Sequence, residues 1–142
     1  MDFRHKISIP IEEEAEYIGN MLLQFNLKSK PLTQEKPFIS INRCIKDEKG
    51  EVIGGILACM ALWHILSIDT LWVKEEFRKQ GIANQLLSIV EDKAISMGCY
   101  IAYLSTYDFQ AKNFYLNKGY EIFGVLEDCP KGHRLYHLCK RL

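Results

Sequence analysis

Apolar residues recur every three or four positions in two stretches of the chain, and each stretch predicts an amphipathic helix. The first stretch follows Ser8 and Pro10, and its predicted buried stripe consists of Ala15, Ile18, Leu22 and Phe25. The second covers residues 82–97 and ends at Gly98, with a predicted core face of Ile82, Leu86, Ile89, Val90, Ala94 and Met97. A shorter helix is predicted to begin near Thr106 or Asp108, either of which can cap it, and to stop at Gly119.

Runs rich in β-branched and aromatic residues, or with alternating apolar residues, predict the strands. They cover residues 3–9, 38–46, 52–62, 68–73, 100–105, 120–126 and 133–140. Short polar connections join three of them, residues 38–46, 52–62 and 68–73, into an antiparallel meander. The helix at 82–97 then crosses over between the strands at 68–73 and 100–105, which makes those two strands parallel neighbours. The pattern therefore predicts a mixed α/β sheet in a single domain over residues 1–142.

Composition and charge narrow the classes of function. The 142 residues are 48% hydrophobic and 25% charged, which is typical of a soluble globular domain. The 18 basic and 18 acidic residues cancel, which argues against a nucleic-acid partner bound through bulk charge. No apolar run predicts a membrane span, and residues 1–6 are too polar for a signal peptide. The five cysteines show no Cys-x-x-Cys spacing, so we expect buried, reduced thiols in a cytoplasmic protein.

The turn between the strand at 68–73 and the helix at 82–97 has the composition of an anion site. The first backbone N–H groups of a helix lack internal acceptors, and the helix dipole adds partial positive charge there. Gly81 removes the side chain where a phosphate would approach the backbone, and the small Ala83 keeps that face open. Arg78 and Lys79 add full positive charges. The turn therefore predicts a pyrophosphate site, and a solvated basic turn is the alternative interpretation of the two cations.

Two motifs together resemble the GCN5-related N-acetyltransferase (GNAT) superfamily. One is the Arg-x-x-Gly-x-Ala pattern at residues 78–83, and the other is residues 110–120, where a helix that carries Tyr115 stops at Gly119 before a strand. The resemblance covers residues 52–142. It implies the acyl-CoA N-acyltransferase fold, in which a twisted, mostly antiparallel sheet has a splayed pair of parallel strands and helices on both faces. It also implies acetyl-CoA as the acyl donor.

The resemblance also assigns residues to the acetyl-CoA site. It places the pyrophosphate against Arg78, Lys79, Gln80, Gly81, Ile82, Ala83 and Asn84. The backbone of Leu71, Trp72 and Val73 corresponds to the segment that pairs with the pantetheine amides in the gap between the splayed strands. An open strand edge offers N–H and C=O groups for such pairing, whatever the side chains are. Asn113 and Lys118 are further candidates for contacts with CoA.

Acetyl transfer to an amine requires a group that takes a proton from the amine and a group that protonates the departing thiolate. Tyr115 matches the tyrosine that lies near the CoA sulfur in many members of the family, and is the predicted acid. Asp69, on the strand before the turn and with the same parity as Leu71 and Val73, is the predicted base. His64 is an alternative base. The competing interpretation of Tyr115 is a core aromatic residue, and that of Asp69 a polar residue at a strand end.

The sequence thus predicts an acetyl-CoA-dependent N-acetyltransferase that acetylates a primary amine by direct attack, and a small-molecule acceptor is preferred. Acetylation of protein lysines or N-termini is the alternative within the same class. A non-catalytic acyl-CoA-binding sensor and a general binder of nucleotide phosphates are alternatives outside it. His133 and Tyr136, near the predicted last strand, line either the acceptor pocket or a homodimer contact.

Overall fold

The computed structural model describes residues 4–142. It consists of two units, one ending at Leu32 and the other covering Thr33–Leu142, and each is described by itself. The predicted strand at 3–9 begins at Phe3, which lies outside the described residues, and residues 4–9 do not form a strand.

The first unit contains one helix, α1, at Glu12–Ser29. Three glutamates in its first turn face the positive end of the helix dipole, and one of them, Glu14, accepts the N–H of Ile11 at 2.9 Å. Within this unit no second element covers the apolar stripe, whose members Ile18, Leu22 and Phe25 are exposed. The helix is therefore confirmed, but the burial predicted for its stripe is not found in this unit. None of the helices among residues 4–142 is both long and apolar enough for a membrane span.

The second unit is a seven-stranded mixed sheet with two helices. Its elements in chain order are β1 (Phe38–Ser40), β2 (Arg43–Lys46), β3 (Val52–Ala61), β4 (Ile65–Val73), a short 3₁₀ turn (Glu75–Phe77), α2 (Ile82–Ser96), β5 (Ile101–Tyr107), α3 (Lys112–Asn117), β6 (Glu121–Glu127) and β7 (Arg134–Arg141). The strand order is β1-β3-β4-β5-β7-β6, with β2 also paired to β3. Every pairing is antiparallel except that of β4 with β5, which confirms the predicted fold class.

The strand predicted at 38–46 is broken into β1 and β2. The break occurs at Ile41 and Asn42, which both bind the backbone of Ala58 on β3. The Ile41 N–H donates to the Ala58 carbonyl at 2.8 Å, and the Asn42 Oδ1 accepts the Ala58 N–H at 3.0 Å. Because a side-chain oxygen replaces a backbone carbonyl there, the ladder stays satisfied across the break, and β1 and β2 keep the same register against β3.

The core lies between α2 and the sheet. Its fully buried residues include Ile56, Leu66, Leu87, Val90, Ala94 and Leu138. The face of α2 that packs on the sheet is rotated from the predicted one, because Leu87 and Glu91 are buried whereas Ile89 is 46% exposed. Leu87 and Ile89 are both apolar, so hydrophobic spacing alone did not show which of them faces the sheet. The burial of Glu91 could not be inferred from hydrophobic spacing either.

The cysteines are free but less buried than predicted. Cys99 is buried, Cys44 is exposed, and Cys59, Cys129 and Cys139 are partly exposed. Three of these four lie on strands of the sheet, where alternation leaves every second side chain on the opposite face.

Candidate functional site

Strands β4 and β5 separate soon after they pair. Their parallel register runs only from Ile65 opposite Ile101 to Ser67 opposite Tyr103. Beyond that point Asp69 is an extra residue in the ladder of β4 with β3, because Ala58 faces Ile68 but Leu57 already faces Thr70. A bulge of this kind increases local bending and twist. The predicted splay of this strand pair is therefore present, and its cause is visible in the register.

The gap between the splayed strands forms a cleft of about 200 Å³. Its walls come from β4, from β5 and from the start of α3, and its lining residues are Ile68, Asp69, Thr70, Leu71, Leu104, Ser105, Thr106, Gln110, Ala111 and Tyr115. The cleft therefore brings together Asp69 and Tyr115, which were predicted separately from two segments more than forty residues apart.

Tyr115 enters the cleft from a well-packed position on α3. Only 6% of the residue is exposed. Its ring contacts Phe114 and Tyr120 edge-on, with ring centroids 5.2 Å and 5.7 Å away. Burial raises the pKa of Tyr115 to about 12. The phenol therefore keeps its proton throughout the neutral range and is available as a hydrogen-bond or proton donor.

Asp69 is exposed and lies at the bulge of β4. Its Oδ1 accepts a hydrogen bond from the Ser67 hydroxyl at 3.2 Å, so these two side chains point to the same face of the sheet. Burial raises the pKa of the Cys59 thiol on β3, and the negative charge of Asp69 raises it further. The predicted parity with Leu71 and Val73 is wrong, because the extra residue in the strand shifts the alternation at this point.

His64 lies away from the cleft, in the turn that leads into the other end of β4. Its Nδ1 is 3.0 Å from the Thr33 hydroxyl, and its carbonyl accepts the Tyr100 N–H. The ring packs against Gly98, where an added Cβ would come within 3.0 Å of it. These contacts give His64 a structural role at a turn, and nothing places its ring near Asp69 or Tyr115.

The predicted anion turn leads from β4 through the 3₁₀ turn to α2. Gly81 is the N-cap of α2 with a φ of 81°, and a Cβ added there would meet no atom within 4 Å. The first bond of the helix runs from the Gln85 N–H to the Gly81 carbonyl. The N–H groups of Ile82, Ala83 and Asn84 therefore lie at the open end of the helix, before its ladder begins.

The cations of the turn have different surroundings. Arg78 is exposed, and its Nε donates to the Val73 carbonyl at 2.9 Å, which ties the turn to the end of β4. Lys79 is exposed and adopts a left-handed φ of 61°. Lys74 pairs with Glu76 at 3.5 Å. Arg78 thus fixes the backbone of the turn with one nitrogen of its guanidinium. In a basic turn that is only solvated, the arginine would not need this bond.

The remaining predicted cofactor residues divide between the strand edge and α3. Leu71, Trp72 and Val73 pair with β3 on one side, and β5 has already separated on the other, so this edge of β4 is open. Trp72 is 46% exposed. Gln80 is exposed at the end of the turn, while Asn113 and Lys118 lie on or just after α3, outside the cleft lining.

This cleft and turn are found in a chain whose residues 9–120 match the model of the acetyltransferase (GNAT) family. The chain belongs to this family. The resemblance to the GNAT superfamily, which the two sequence motifs predicted, is thereby confirmed.

Similar proteins agree with this assignment. Blasticidin-S acetyltransferase of Streptomyces morookaense is 31% identical over 117 residues, which are 82% of this chain and 85% of that protein. Acetyltransferase Atu2258 of Agrobacterium fabrum (strain C58) is 33% identical over 130 residues, or 91% of each chain. A crystal structure of an acetyltransferase from Bacillus cereus ATCC 14579 is 37% identical, with a TM-score of 0.89 over 99% of this chain and 100% of that one.

This GNAT protein is therefore an acetyltransferase, and acetyl-CoA is the cosubstrate that the family uses. The residues present fit that group at two places. The α2 N-terminus offers free N–H groups and exposed cations for its phosphates, and the open edge of β4 offers backbone groups for its amide-containing arm. Sequence reasoning had identified both.

Ser105 and Gln110 are among the polar residues of the cleft that sequence reasoning missed. The Ser105 hydroxyl is 2.8 Å from Nδ1 of His137 on β7. Gln110 uses its Oε1 to accept the Tyr107 N–H at 2.7 Å and the Thr106 hydroxyl at 3.2 Å, which fixes the turn between β5 and α3. The sequence carries no signal for the first pair, since it depends on the insertion of β7 beside β5.

A buried charged cluster behind Tyr115 was also missed. Glu91 on α2 is 7% exposed and accepts a hydrogen bond from the Tyr120 hydroxyl at 2.8 Å. Lys140 on β7 donates to both oxygens of the same carboxylate at 3.1 Å. Burial and the Glu91 charge raise the pKa of Tyr120. The cluster thus joins α2, β7 and Tyr120, which lies between α3 and β6.

The predicted cap of α3 has a different role. The helix begins at Lys112 without a side-chain cap, and Asp108 instead binds His133 Nδ1 at 2.9 Å and the Arg134 N–H at 3.0 Å. Burial opposes the shift, but these hydrogen bonds lower the pKa of Asp108. His133 also meets Phe109 edge-on, while Tyr136 is buried under the Lys112 ammonium, 4.7 Å from its ring. The two predicted acceptor residues therefore lie in different surroundings.

Proposed function

We propose that this acetyltransferase transfers the acetyl group of acetyl-CoA to a primary amine of a small molecule, by direct attack of the amine on the thioester. The observation that carries the proposal is the cleft that Asp69 and Tyr115 share. It lies at the separation of β4 from β5, and β4 leads directly into the turn before α2. One continuous segment thus connects a phosphate site to the reacting groups.

Binding of the donor follows from that segment. Residues 78–84 hold the pyrophosphate through the helix N–H groups and through Arg78 and Lys79. The backbone of Leu71, Trp72 and Val73 pairs with the pantetheine amides as an added strand would. Asn113 and Lys118 contact the outer part of CoA. This route directs the thioester along β4 to the cleft that contains Tyr115.

Tyr115 protonates the departing sulfur. A buried phenol with a pKa of about 12 is fully protonated at neutral pH, so it donates a hydrogen bond to sulfur as negative charge develops there. Its two aromatic neighbours limit the rotation of the ring. A tyrosine that served only for packing would not need to line the cleft.

Asp69 faces the amine. The carboxylate lies on the exposed side of the bulge and is oriented by the Ser67 hydroxyl. Its negative charge attracts the ammonium form of the acceptor and then takes the proton that the nitrogen loses once the new C–N bond has formed. No covalent enzyme intermediate is needed, because the amine itself is the nucleophile.

A small acceptor is preferred because of the size of the cleft and the similarity to a blasticidin-S acetyltransferase. A cleft of about 200 Å³ is below the usual range for pockets that enclose a drug-sized ligand, so it suits an amine-bearing end of a small molecule. We propose that residues 1–142 form one acetyltransferase domain, because the family match at residues 9–120 includes residues on both sides of Leu32.

Two measurements test the proposal. Calorimetric titration compares acetyl-CoA with ATP and NAD, and thiol release is then followed over a panel of small amines and lysine-containing or free-N-terminal peptides. We expect preference for acetyl-CoA and release with small amines. Tyr115→Phe should lower kcat by about 10²-fold or more, whereas Tyr100→Phe, a change at an exposed tyrosine outside the cleft, should not. Equal binding of all three nucleotides, or release with peptides alone, would contradict the proposal.

A further inference from the structure

Ser105 and His137 form a hydrogen-bonded pair that opens onto the cleft. The two residues are directly opposite each other in the antiparallel ladder of β5 and β7. The Ser105 Oγ is 2.8 Å from His137 Nδ1, and Ser105 lines the cleft whereas His137 does not. The pair therefore connects the cleft to an imidazole one strand further from it.

The pair lies on the same face of the sheet as Asp69. Ser67 and Tyr103 are opposite each other in the parallel register, so their side chains share a face. Asp69 contacts Ser67 on β4, and Ser105 is two residues beyond Tyr103 on β5. An amine held at Asp69 therefore faces Ser105 across the gap between the two strands.

The surroundings of His137 hold its ring in place. Phe123 on β6 lies beside the ring, with centroids 5.9 Å apart. Gly124, opposite His137 in the ladder, also lies beside the ring, and a Cβ added there would be at ordinary contact distance, 3.5 Å from Cδ2. His137 is partly exposed, so a proton that reaches the imidazole can pass on to solvent.

A primary amine in neutral water is an ammonium ion, and it must lose one proton before it can attack. It loses a second proton after attack, when its nitrogen is cationic again. Asp69 provides for the second, under the proposed function. The proton that the ammonium loses before attack needs a different acceptor. Histidine is the side chain that ordinarily changes its protonation state between about pH 5 and pH 8.

We propose that Ser105 and His137 form a proton relay that converts the bound ammonium to the reactive amine. The inference rests on the proposed amine acetylation. The ammonium N–H proton moves to Ser105 Oγ as the Oγ–H proton moves to His137 Nδ1, and the imidazolium then releases one proton to solvent. The neutral amine attacks, the C–N bond forms and the C–S bond breaks. Sulfur takes the Tyr115 proton, and the proton received by Asp69 restores Tyr115 through solvent.

Ser105 is then a catalytic residue that touches the amine, and His137 is a positioning residue that acts through it. The other ionisable groups on this face of β5, β6 and β7 are Tyr103, Tyr107, Glu121, Cys139 and Arg141, and Asp69 and Cys59 lie across the gap on β4 and β3. Among the residues that the structure describes, none of these groups forms a hydrogen bond with the imidazole of His137. Ser105 is therefore the group on this face that the structure pairs with His137.

The test is the pH dependence of kcat/KM for thiol release, from pH 5.5 to 10, with an amine that the wild type accepts. Ser105→Ala removes the relay, and His137→Asn keeps an acceptor for the Ser105 hydroxyl but cannot take up a proton. Both variants should lose about 10²-fold at pH 7. The deficit should shrink as the pH approaches the pKa of the amine, because half of the substrate is neutral at that pH without help from the relay. Tyr103→Phe, on the same face but outside the cleft lining, should follow the wild-type profile.

A structural role for the pair would give a different result. Loss of packing would lower the rate equally at every pH, so variant profiles that run parallel to the wild type would overturn the relay. Wild-type rates in Ser105→Ala and His137→Asn would overturn it as well and leave the proposed acetylation intact. Absence of transfer to any amine by the wild type would refute the proposed function and the relay with it.

A second readout does not depend on turnover. The relay requires neutral His137 to carry its proton on Nε2, so that Nδ1 accepts from Ser105. Long-range ¹H–¹⁵N NMR of the imidazole, assigned by comparison with His137→Asn, should show that tautomer at pH 8. The Nδ1–H tautomer would exclude proton transfer from Ser105 to His137.

Discussion

The Tyr120 hydroxyl donates a 2.8 Å hydrogen bond to the buried carboxylate of Glu91. The Tyr120 ring also packs edge-on against the ring of Tyr115, the predicted acid. Glu91 therefore holds the residue against which Tyr115 packs. Lys140 neutralises Glu91 from β7 with two 3.1 Å contacts. A buried carboxylate in an apolar helix face is stabilised only with such partners.

Removal of that carboxylate should destabilise the protein strongly. In Glu91→Ala, Tyr120 and Lys140 lose their shared partner, so the free energy of unfolding should fall by about 3 kcal/mol. Glu91→Gln retains an acceptor for Tyr120 and should lose less. Asp92→Ala is the matched control, because Asp92 is the exposed neighbour on the same helix. Urea unfolding curves give the three values, and equal losses for Glu91→Ala and Asp92→Ala would show that the cluster contributes nothing special.

The raised pKa of Tyr115 predicts a loss of stability in alkali. Its folded-state pKa of about 12 lies above the ordinary value of 10, so the unfolded chain releases this proton first as the pH rises. The stabilisation is fully present below pH 10 and is lost as the pH rises to 12. Tyr115→Phe lacks this titration. The free energy of unfolding of the wild type should therefore fall more steeply between pH 10 and 12 than that of the variant, as measured by urea unfolding at each pH. Parallel curves would contradict the shift.

The sequence was sufficient for features that depend on local order along the chain. Gly81 after a strand and before an amphipathic helix predicted a turn at a helix start, and Gly81 is the N-cap of α2. The motif around Tyr115 predicted a helix that carries this residue, and Tyr115 lines the cleft from α3. The relation of Ser105 to His137 was not predictable, because it requires β7 to lie between β5 and β6, although β6 precedes it in the chain.

The bulge at Asp69 shows a second limit of sequence reasoning. Strict alternation along β4 assigned Asp69 to the face of Leu71 and Val73, and one extra residue in the ladder reversed that assignment. The apolar pattern of β4 does not mark the extra residue, because the bulge is defined by how β4 pairs with β3. The position of Asp69 on the strand before the turn was therefore predictable from the sequence, but the face to which its side chain points was not.

Arg78 should be needed for more than its charge. Its Nε donates to the Val73 carbonyl at 2.9 Å, and lysine has no group that can make this bond while its ammonium reaches solvent. Arg78→Lys should therefore raise the Kd for acetyl-CoA about tenfold, through a less ordered turn, at unchanged net charge. Lys79→Arg is the converse control and should have little effect, because Lys79 is exposed. Calorimetry supplies both values, and an unchanged Kd in Arg78→Lys would mean that charge alone matters.

Gly81 and Gly50 allow the conformational and binding roles of a glycine to be separated. Their φ angles are 81° and 83°, and an added Cβ would meet no atom within 4 Å at either position. An alanine at either position should therefore lower the free energy of unfolding by about 1 kcal/mol, because of the left-handed backbone alone. Only Gly81 caps α2, where a phosphate would lie against the backbone, whereas Gly50 lies in the turn between β2 and β3. Gly81→Ala should thus raise the Kd for acetyl-CoA at least tenfold while Gly50→Ala leaves it unchanged, although urea unfolding shows similar losses. Equal Kd values for the two variants would remove the anion site from the start of α2.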